Sequence, residues 1–290
     1  MTGVRCVLPA GARLGEGALW DVAEQALYWV DIKGRSVHRF DPITGDDRRW
    51  PVPEDVGSLA LRAQGGLVLA LRSGFHFFDP ASGVLTLVAA PEPERRDNRF
   101  NDGKPDRQGR FWAGSMHDPE AEPTGALYRL DADRSWQRLL DGIVCSNALC
   151  WSPDGRTMYH ADTPTRTVWA WDADPASGAV ANRRVFVRVP EGDGVPDGAT
   201  VDAEGFVWLA HWDGWRVTRY DPAGRVARVV RLPVQRPTCP AFGGPDLDVL
   251  YVTSATIGLT DTARARQPWA GGLLAAEPGV RGLPEVRFAG

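Results

Sequence analysis

Long apolar runs are missing from this chain of 290 residues. No stretch reaches the about 18 consecutive apolar residues that a membrane-spanning helix needs, so no membrane partner is expected. Residues 1–17 have neither the apolar core nor the cleavage pattern of a secretory signal. Cysteine is scarce. The four present, Cys6, Cys145, Cys150 and Cys239, are scattered and never spaced C-x-x-C, which excludes a disulfide framework and a structural zinc site. Free, mostly buried thiols fit a cytoplasmic setting. An excess of one charge sign is also missing: 33 basic residues face 37 acidic ones, for a net charge of -4. No basic face is implied, and nucleic acid is not an expected partner. Helical periodicity is absent except for a short turn expected over residues 259–267, closed by Pro268 and the Gly271-Gly272 pair. There is no P-loop, no Gly-rich dinucleotide fingerprint, and no Ser-His-Asp or Cys-His pattern. The histidines do not cluster.

What the chain has is repetition. Twelve tryptophans are spread along it. Six apolar strands, each preceded by a turn, look alike, among them Ala26-Leu27-Tyr28-Trp29-Val30, Gly109-Arg110-Phe111-Trp112-Ala113 and Gly205-Phe206-Val207-Trp208-Leu209. Anchored at residues 27, 67, 110, 157, 206 and 250, they are 40, 43, 47, 49 and 44 residues apart. A period in the forties with four short strands per unit predicts an all-β fold, a six-bladed β-propeller with a central channel, as a single domain over residues 1–290. A second landmark, an apolar residue followed by Asp (Phe40-Asp41-Pro42, Phe78-Asp79-Pro80, Leu130-Asp131, Trp171-Asp172, Tyr220-Asp221-Pro222), marks the turn between the third and fourth strands. Strand-like segments at both ends, Val4-Arg5-Cys6-Val7-Leu8 and Glu285-Val286-Arg287-Phe288, point to ring closure, with the N-terminal strand paired into the last blade.

Polar residues interrupt the starts of the innermost strands in one register. Glu16 lies eleven residues before its anchor, Asn147 ten, Asp197 nine, and Asn101 and Asp102 nine and eight. Singly, each reads as a turn residue beside glycine. Together they predict four blades aiming oxygen atoms at one point on the axis, with nothing comparable near Gly57 or Pro240 in the second and sixth units. Carboxylates and amide oxygens are hard donors, suited to Ca²⁺, Mg²⁺ or Mn²⁺; Zn²⁺ or Fe²⁺ is less favoured by an all-oxygen set. Arg99, two residues before Asn101, can hold a substrate hydroxyl or oxyanion, or else pair on the surface with Asp97 or Glu94. His117, beside Asp118, is placed near the channel mouth. Trp212 and Trp215 fit either the mouth or a dimer contact, so monomer and dimer both stay open.

Further segments, in order along the chain, are Leu14-Gly15-Glu16-Gly17-Ala18-Leu19-Trp20, Arg99-Phe100-Asn101-Asp102-Gly103-Lys104, Ser146-Asn147-Ala148, Pro196-Asp197-Gly198 and Phe242-Gly243-Gly244-Pro245-Asp246. As a set they resemble the SMP-30/gluconolactonase/regucalcin family over nearly the whole chain, and the bacterial sugar lactonases look like the closer branch. The resemblance implies a six-bladed propeller, one divalent metal on Glu16, Asn147 and Asp197, substrate contacts from Arg99 and Asn101, and Asp197 as catalytic acid/base. The expected reaction is hydrolysis of a small sugar lactone to the aldonic acid; the metal is Ca²⁺, Mg²⁺, Mn²⁺, Zn²⁺ or Fe²⁺. An ester or organophosphate hydrolase on the same site, and a metal-binding propeller without turnover, are the alternatives. The chain departs from the family where regucalcin-like members carry a substrate-contacting Glu: Ala113-Gly114-Ser115-Met116 is followed by His117-Asp118-Pro119-Glu120, with Pro119 at the matching place.

Overall fold

Each repeat folds into a four-stranded antiparallel sheet, and six such sheets stand around one axis as a six-bladed β-propeller. The computed structural model describes residues 3–290. The innermost strands are Gly15–Asp21, Val56–Leu61, Asn98–Pro105, Ser146–Trp151, Val195–Val201 and Pro237–Gly243. Burial decides the radial order: Gly15–Asp21 is buried along its length, whereas the outermost strand of the same blade, Asp47–Pro51, is largely exposed. The anchor segments form the second strands, such as Ala26–Asp31 and Val207–Trp212, where apolar side chains pack between neighbouring sheets.

The Asp landmarks cap the outer turns. Asp41, Asp79 and Asp221 each accept the backbone N–H two residues on, from Ile43, Ala81 and Ala223, all at 2.9 Å. Two tryptophans are explained in the same way. Trp112 and Trp208 are buried with their indole N–H donating at 2.9 Å to Asp106 and Asp202, the residues that turn the first strand into the second.

The ring closes as the ends of the sequence indicate on the N-terminal side. Arg5–Leu8 pairs antiparallel with Leu273–Ala276, with Arg5 opposite Ala275 and Cys6 opposite Leu274, which covers the open edge of the last blade. The expected helical turn is Asp261–Ala265, its first turn capped by the Thr260 hydroxyl accepting from Ala263 N–H.

The C-terminal segment corrects the sequence reading: residues 285–288 form no strand of a blade, and only a single parallel bridge joins Phe288 to Arg62. The fourth place in the last sheet is already taken by the N-terminal strand, and Gly279, Gly282 and Pro284 break the pattern. Instead the segment straps several blades together. Ala203 N–H donates to Arg281, Gly282 N–H to Leu247, Phe288 N–H to Leu61, and Ala289 N–H to Gly109. Glu285 meets the buried Lys104 at 3.3 Å, and Phe288 is fully buried. Phe288→Ala is therefore expected to cost about 3–5 kcal/mol, seen as a lower denaturant midpoint; an unchanged midpoint would show that the strap does not bear on stability.

Candidate functional site

Every innermost strand carries a β-bulge near its start, and the bulges place the polar register. Glu16 pairs with Val30 but Leu19 pairs with Tyr28, so Gly17 and Ala18 face a single residue. The same slip falls after Asn147, between Phe100 and Gly103, and between Pro196 and Ala199. A bulge bends the strand and re-aims its side chains. Here it turns them toward the axis, with Gly17 and Ala148 at φ values of 59° and 55°. Ala148 takes a conformation that costs an L-residue strain.

Around the axis lies a cavity of about 110 Å³. Its polar wall is Glu16, Arg99, Asn101, Glu120, Asn147 and Asp197; Leu14, Cys145, Val195 and Trp212 supply apolar surface, and Thr163 a hydroxyl. Five of the six residues singled out from the sequence, Glu16, Arg99, Asn101, Asn147 and Asp197, are thus brought together, from blades one, three, four and five. Asp102 is not: its carboxylate accepts Leu149 N–H at 2.7 Å between blades. A larger groove of about 610 Å³ at the rim, beside Asp154 and Arg184, gathers no comparable set of buried polar groups.

The acidic pair is strained electrostatically. Glu16 and Asp197 are buried and line the same cavity, close enough for the charge of Glu16 to act on Asp197. Burial first, and then the charge of Asp102, push the Glu16 carboxyl up to about 8. Burial and the charges of Glu16 and Asp102 push Asp197 well above the carboxylate range. A cation between them would relieve both effects. Among the described residues no three His, Cys, Asp or Glu side chains gather as a metal site, so the available donors are these two carboxylates and the Asn147 amide oxygen. That set fits a hard divalent cation and leaves positions open for substrate.

Arg99 is 5% exposed and pairs with neither Asp97 nor Glu94. Its Nε donates to Asp118 at 2.7 Å, and its Nη1 to Phe100 O at 3.0 Å and Asn101 Oδ1 at 2.7 Å, so Nη2 is the nitrogen left for the cavity. Asp118 also accepts Lys33 at 2.7 Å and Arg72 at 2.6 Å. Burial opposes its ionisation, but the Lys33 hydrogen bond and the Arg99 charge outweigh it and hold the carboxyl well below the usual range.

Two features escaped the sequence reading. Glu120 reaches the cavity, one residue beyond Pro119, where the resemblance puts the family's Glu. It does so at φ 56°, in a loop whose Ala121 and Glu122 N–H groups donate to His117 Nδ1 at 3.2 and 3.1 Å. The only signal for it was a carboxylate one residue beyond the expected place. A Ser-His-Asp arrangement also exists, contrary to the sequence reading: Ser36 Oγ lies 2.9 Å from His38 Nε2, and His38 Nδ1 lies 2.7 Å from Asp47. Ser36 has no exposed surface, so no substrate reaches it and the three groups serve the blade interior.

Residues 14–256 match the family described as SMP-30/Gluconolactonase/LRE-like region. The chain belongs to this family. Among its members, the 6-deoxy-6-sulfogluconolactonase of Pseudomonas putida is 39% identical over 289 residues, covering 99% of each chain. The L-arabinolactonase of Azospirillum brasilense is 42% identical over 282 residues, covering 96% of this chain and 92% of the relative. The solved structure of a calcium-binding regucalcin from Agrobacterium tumefaciens superposes with a TM-score of 0.95 at 31% identity, over 99% of this chain and 97% of that one. Among the described residues no helix is long and apolar enough to cross a membrane.

Proposed function

We propose that this protein hydrolyses a small sugar lactone to the aldonic acid, with one divalent cation held by Glu16, Asn147 and Asp197. The observation that carries this reading is the pair of buried carboxylates, Glu16 and Asp197, facing an amide oxygen and a guanidinium across one small cavity. The lactonase names of two full-length relatives support the substrate class. The calcium-binding regucalcin neighbour supports a divalent cation.

When bound, the cation supplies Lewis-acid stabilisation for charge developing on the lactone carbonyl oxygen. The chain supplies the rest. Asp197 takes a proton from the attacking water and returns it to the ring oxygen as the C–O bond breaks. Arg99 Nη2 donates toward the sugar, and Asn101 is held fixed beside it by Arg99, Ser146 O and Asn147 Oδ1. Glu120 accepts from sugar hydroxyls on the open side. Trp212 and Leu14 cover the apolar face of the ring and limit the water that enters.

The test is a panel of five- and six-membered aldonolactones, followed by acid release after spontaneous opening is subtracted. The protein is stripped with chelator and reloaded with Ca²⁺, Mg²⁺, Mn²⁺, Zn²⁺ or, anaerobically, Fe²⁺. Cation-restored turnover on one or two sugars is expected. Stoichiometric binding with no turnover on any lactone would turn the reading to a non-catalytic propeller.

Asp118→Asn tests the support of Arg99. Lys33, Arg72 and Arg99 all lose Asp118, and since Lys33 and Arg72 keep Asp55, the loss falls hardest on Arg99. With the site partly open to solvent, about 1–3 kcal/mol of stability is expected to go. KM for the preferred lactone should rise about tenfold, since a loosened guanidinium binds the sugar less well. An unchanged KM would remove Arg99 from substrate binding.

A further inference from the structure

Thr163 opens the short 3-10 turn Thr163–Thr165 at the channel mouth, and its backbone N–H is pinned to Cys145 O at 2.9 Å. Its hydroxyl bridges two blades. It accepts from Asn147 Nδ2 at 2.8 Å and donates to Pro196 O at 2.9 Å. Pro196 is the residue before Asp197.

The polarity of this bridge is forced. A carbonyl can only accept, so the single hydroxyl proton of Thr163 goes to Pro196. Only lone pairs remain to face Asn147, and they select its amide nitrogen. The Asn147 oxygen must then turn to the other side, toward the cavity. The opposite end of the chain has equally fixed polarity, because a guanidinium can only donate. Arg99 Nη1 donates to Asn101 Oδ1 at 2.7 Å, and Asn101 Nδ2 donates to Asn147 Oδ1 at 3.1 Å. Between a pure donor and a pure acceptor, both amides have one permitted orientation.

The geometry points to Thr163 as a positioning residue: its hydroxyl fixes the Asn147 oxygen toward the cation position and ties that oxygen to the strand bearing Asp197. This rests on reading Glu16, Asn147 and Asp197 as the cation's donors. Without the hydroxyl, the Asn147 amide is held from one side only, by the Asn101 Nδ2 hydrogen bond to its oxygen, and a turn of its NH₂ into the cavity, where it repels a cation, becomes less costly.

The experiment is calorimetric titration of Ca²⁺ and, separately, Mn²⁺ into chelator-stripped wild type, Thr163→Val, Thr163→Ala and Thr163→Ser, with no substrate present. Near-UV circular dichroism confirms the fold of each. The valine and alanine variants are expected to bind about 10–100-fold more weakly, and the serine variant within about threefold of wild type, because it restores the acceptor. If the valine or alanine variant folds and binds as tightly as wild type, or if serine is as weak as valine, the positioning role is overturned while the cation reading stands. If wild type itself binds neither ion, the cation reading falls and takes this inference with it.

Discussion

Asp197→Asn is expected to lower kcat on the preferred lactone by about 10²–10⁴-fold, the usual worth of a positioned general base. The substitution is nearly isosteric, so the bulge between Pro196 and Ala199 and the contacts of the strand are retained. Asp197 also borders the cation position, and a bound cation favours its ionised form and weakens it as a base. Two losses must therefore be separated. Glu16→Gln supplies the control, because it removes a neighbouring carboxylate without removing the base. Its defect should appear mainly in cation affinity and be recovered by excess cation. The Asp197→Asn defect should persist at saturating cation, with affinity measured independently by calorimetry. If the Asn variant turns over normally when fully loaded, Asp197 is a ligand alone and another group takes the proton.

The parts of this molecule legible in the sequence are those tied to its period. The strand pattern recurs six times and the outer Asp turn five times, so each instance supports the others. The shared register of Glu16, Asn101, Asn147 and Asp197 was legible for the same reason: all sit at the bulge of an innermost strand. Spacing could not say which of two adjacent polar residues faces the axis. Both residues lie inside the bulge between Phe100 and Gly103, where the regular alternation is broken; Asp102 turns to Leu149 while Asn101 faces the cavity.

Features outside the repeat left weaker marks. Glu120 depends on a loop held by a histidine and on a left-handed backbone, neither of which has a periodic signature. Asp118 was adjacent to the expected Glu, but its partners Lys33 and Arg72 are 85 and 46 residues away and come from other blades. The C-terminal strap looked like a strand because Val286 and Phe288 alternate with polar residues. Its fate was set by a vacancy already filled at the far end of the chain, which no local pattern records.

Without a cation, stability is expected to fall as pH rises from about 6.5 to 8, and with saturating Ca²⁺ that fall should disappear. The sign follows from the acidic pair. Burial and neighbouring charge raise the Glu16 carboxyl from its ordinary 4.5 to about 8, and raise Asp197 as well. A carboxyl raised by folding contributes stability that is fully present below its unfolded value and is lost as pH rises through its folded one. With one proton held by the folded form, the loss is about 1.4 kcal/mol per pH unit. Other groups confine the window. Burial lowers His160 and His211 from 6.5 to about 4, so they work in the opposite direction, adding stability as pH rises to 6.5, and are silent above it. Burial raises the Cys145 and Cys150 thiols from 9.0, so their effect lies above the window. A cation displaces the shared proton, so Ca²⁺ affinity should rise about tenfold per pH unit across the same range. Denaturant unfolding at several pH values, with and without Ca²⁺, reads the first effect, and calorimetry in buffers of different ionisation enthalpy reads the proton released. Glu16→Gln should flatten both dependences. A slope that survives in that variant would place the titrating proton elsewhere than on the pair that faces the channel.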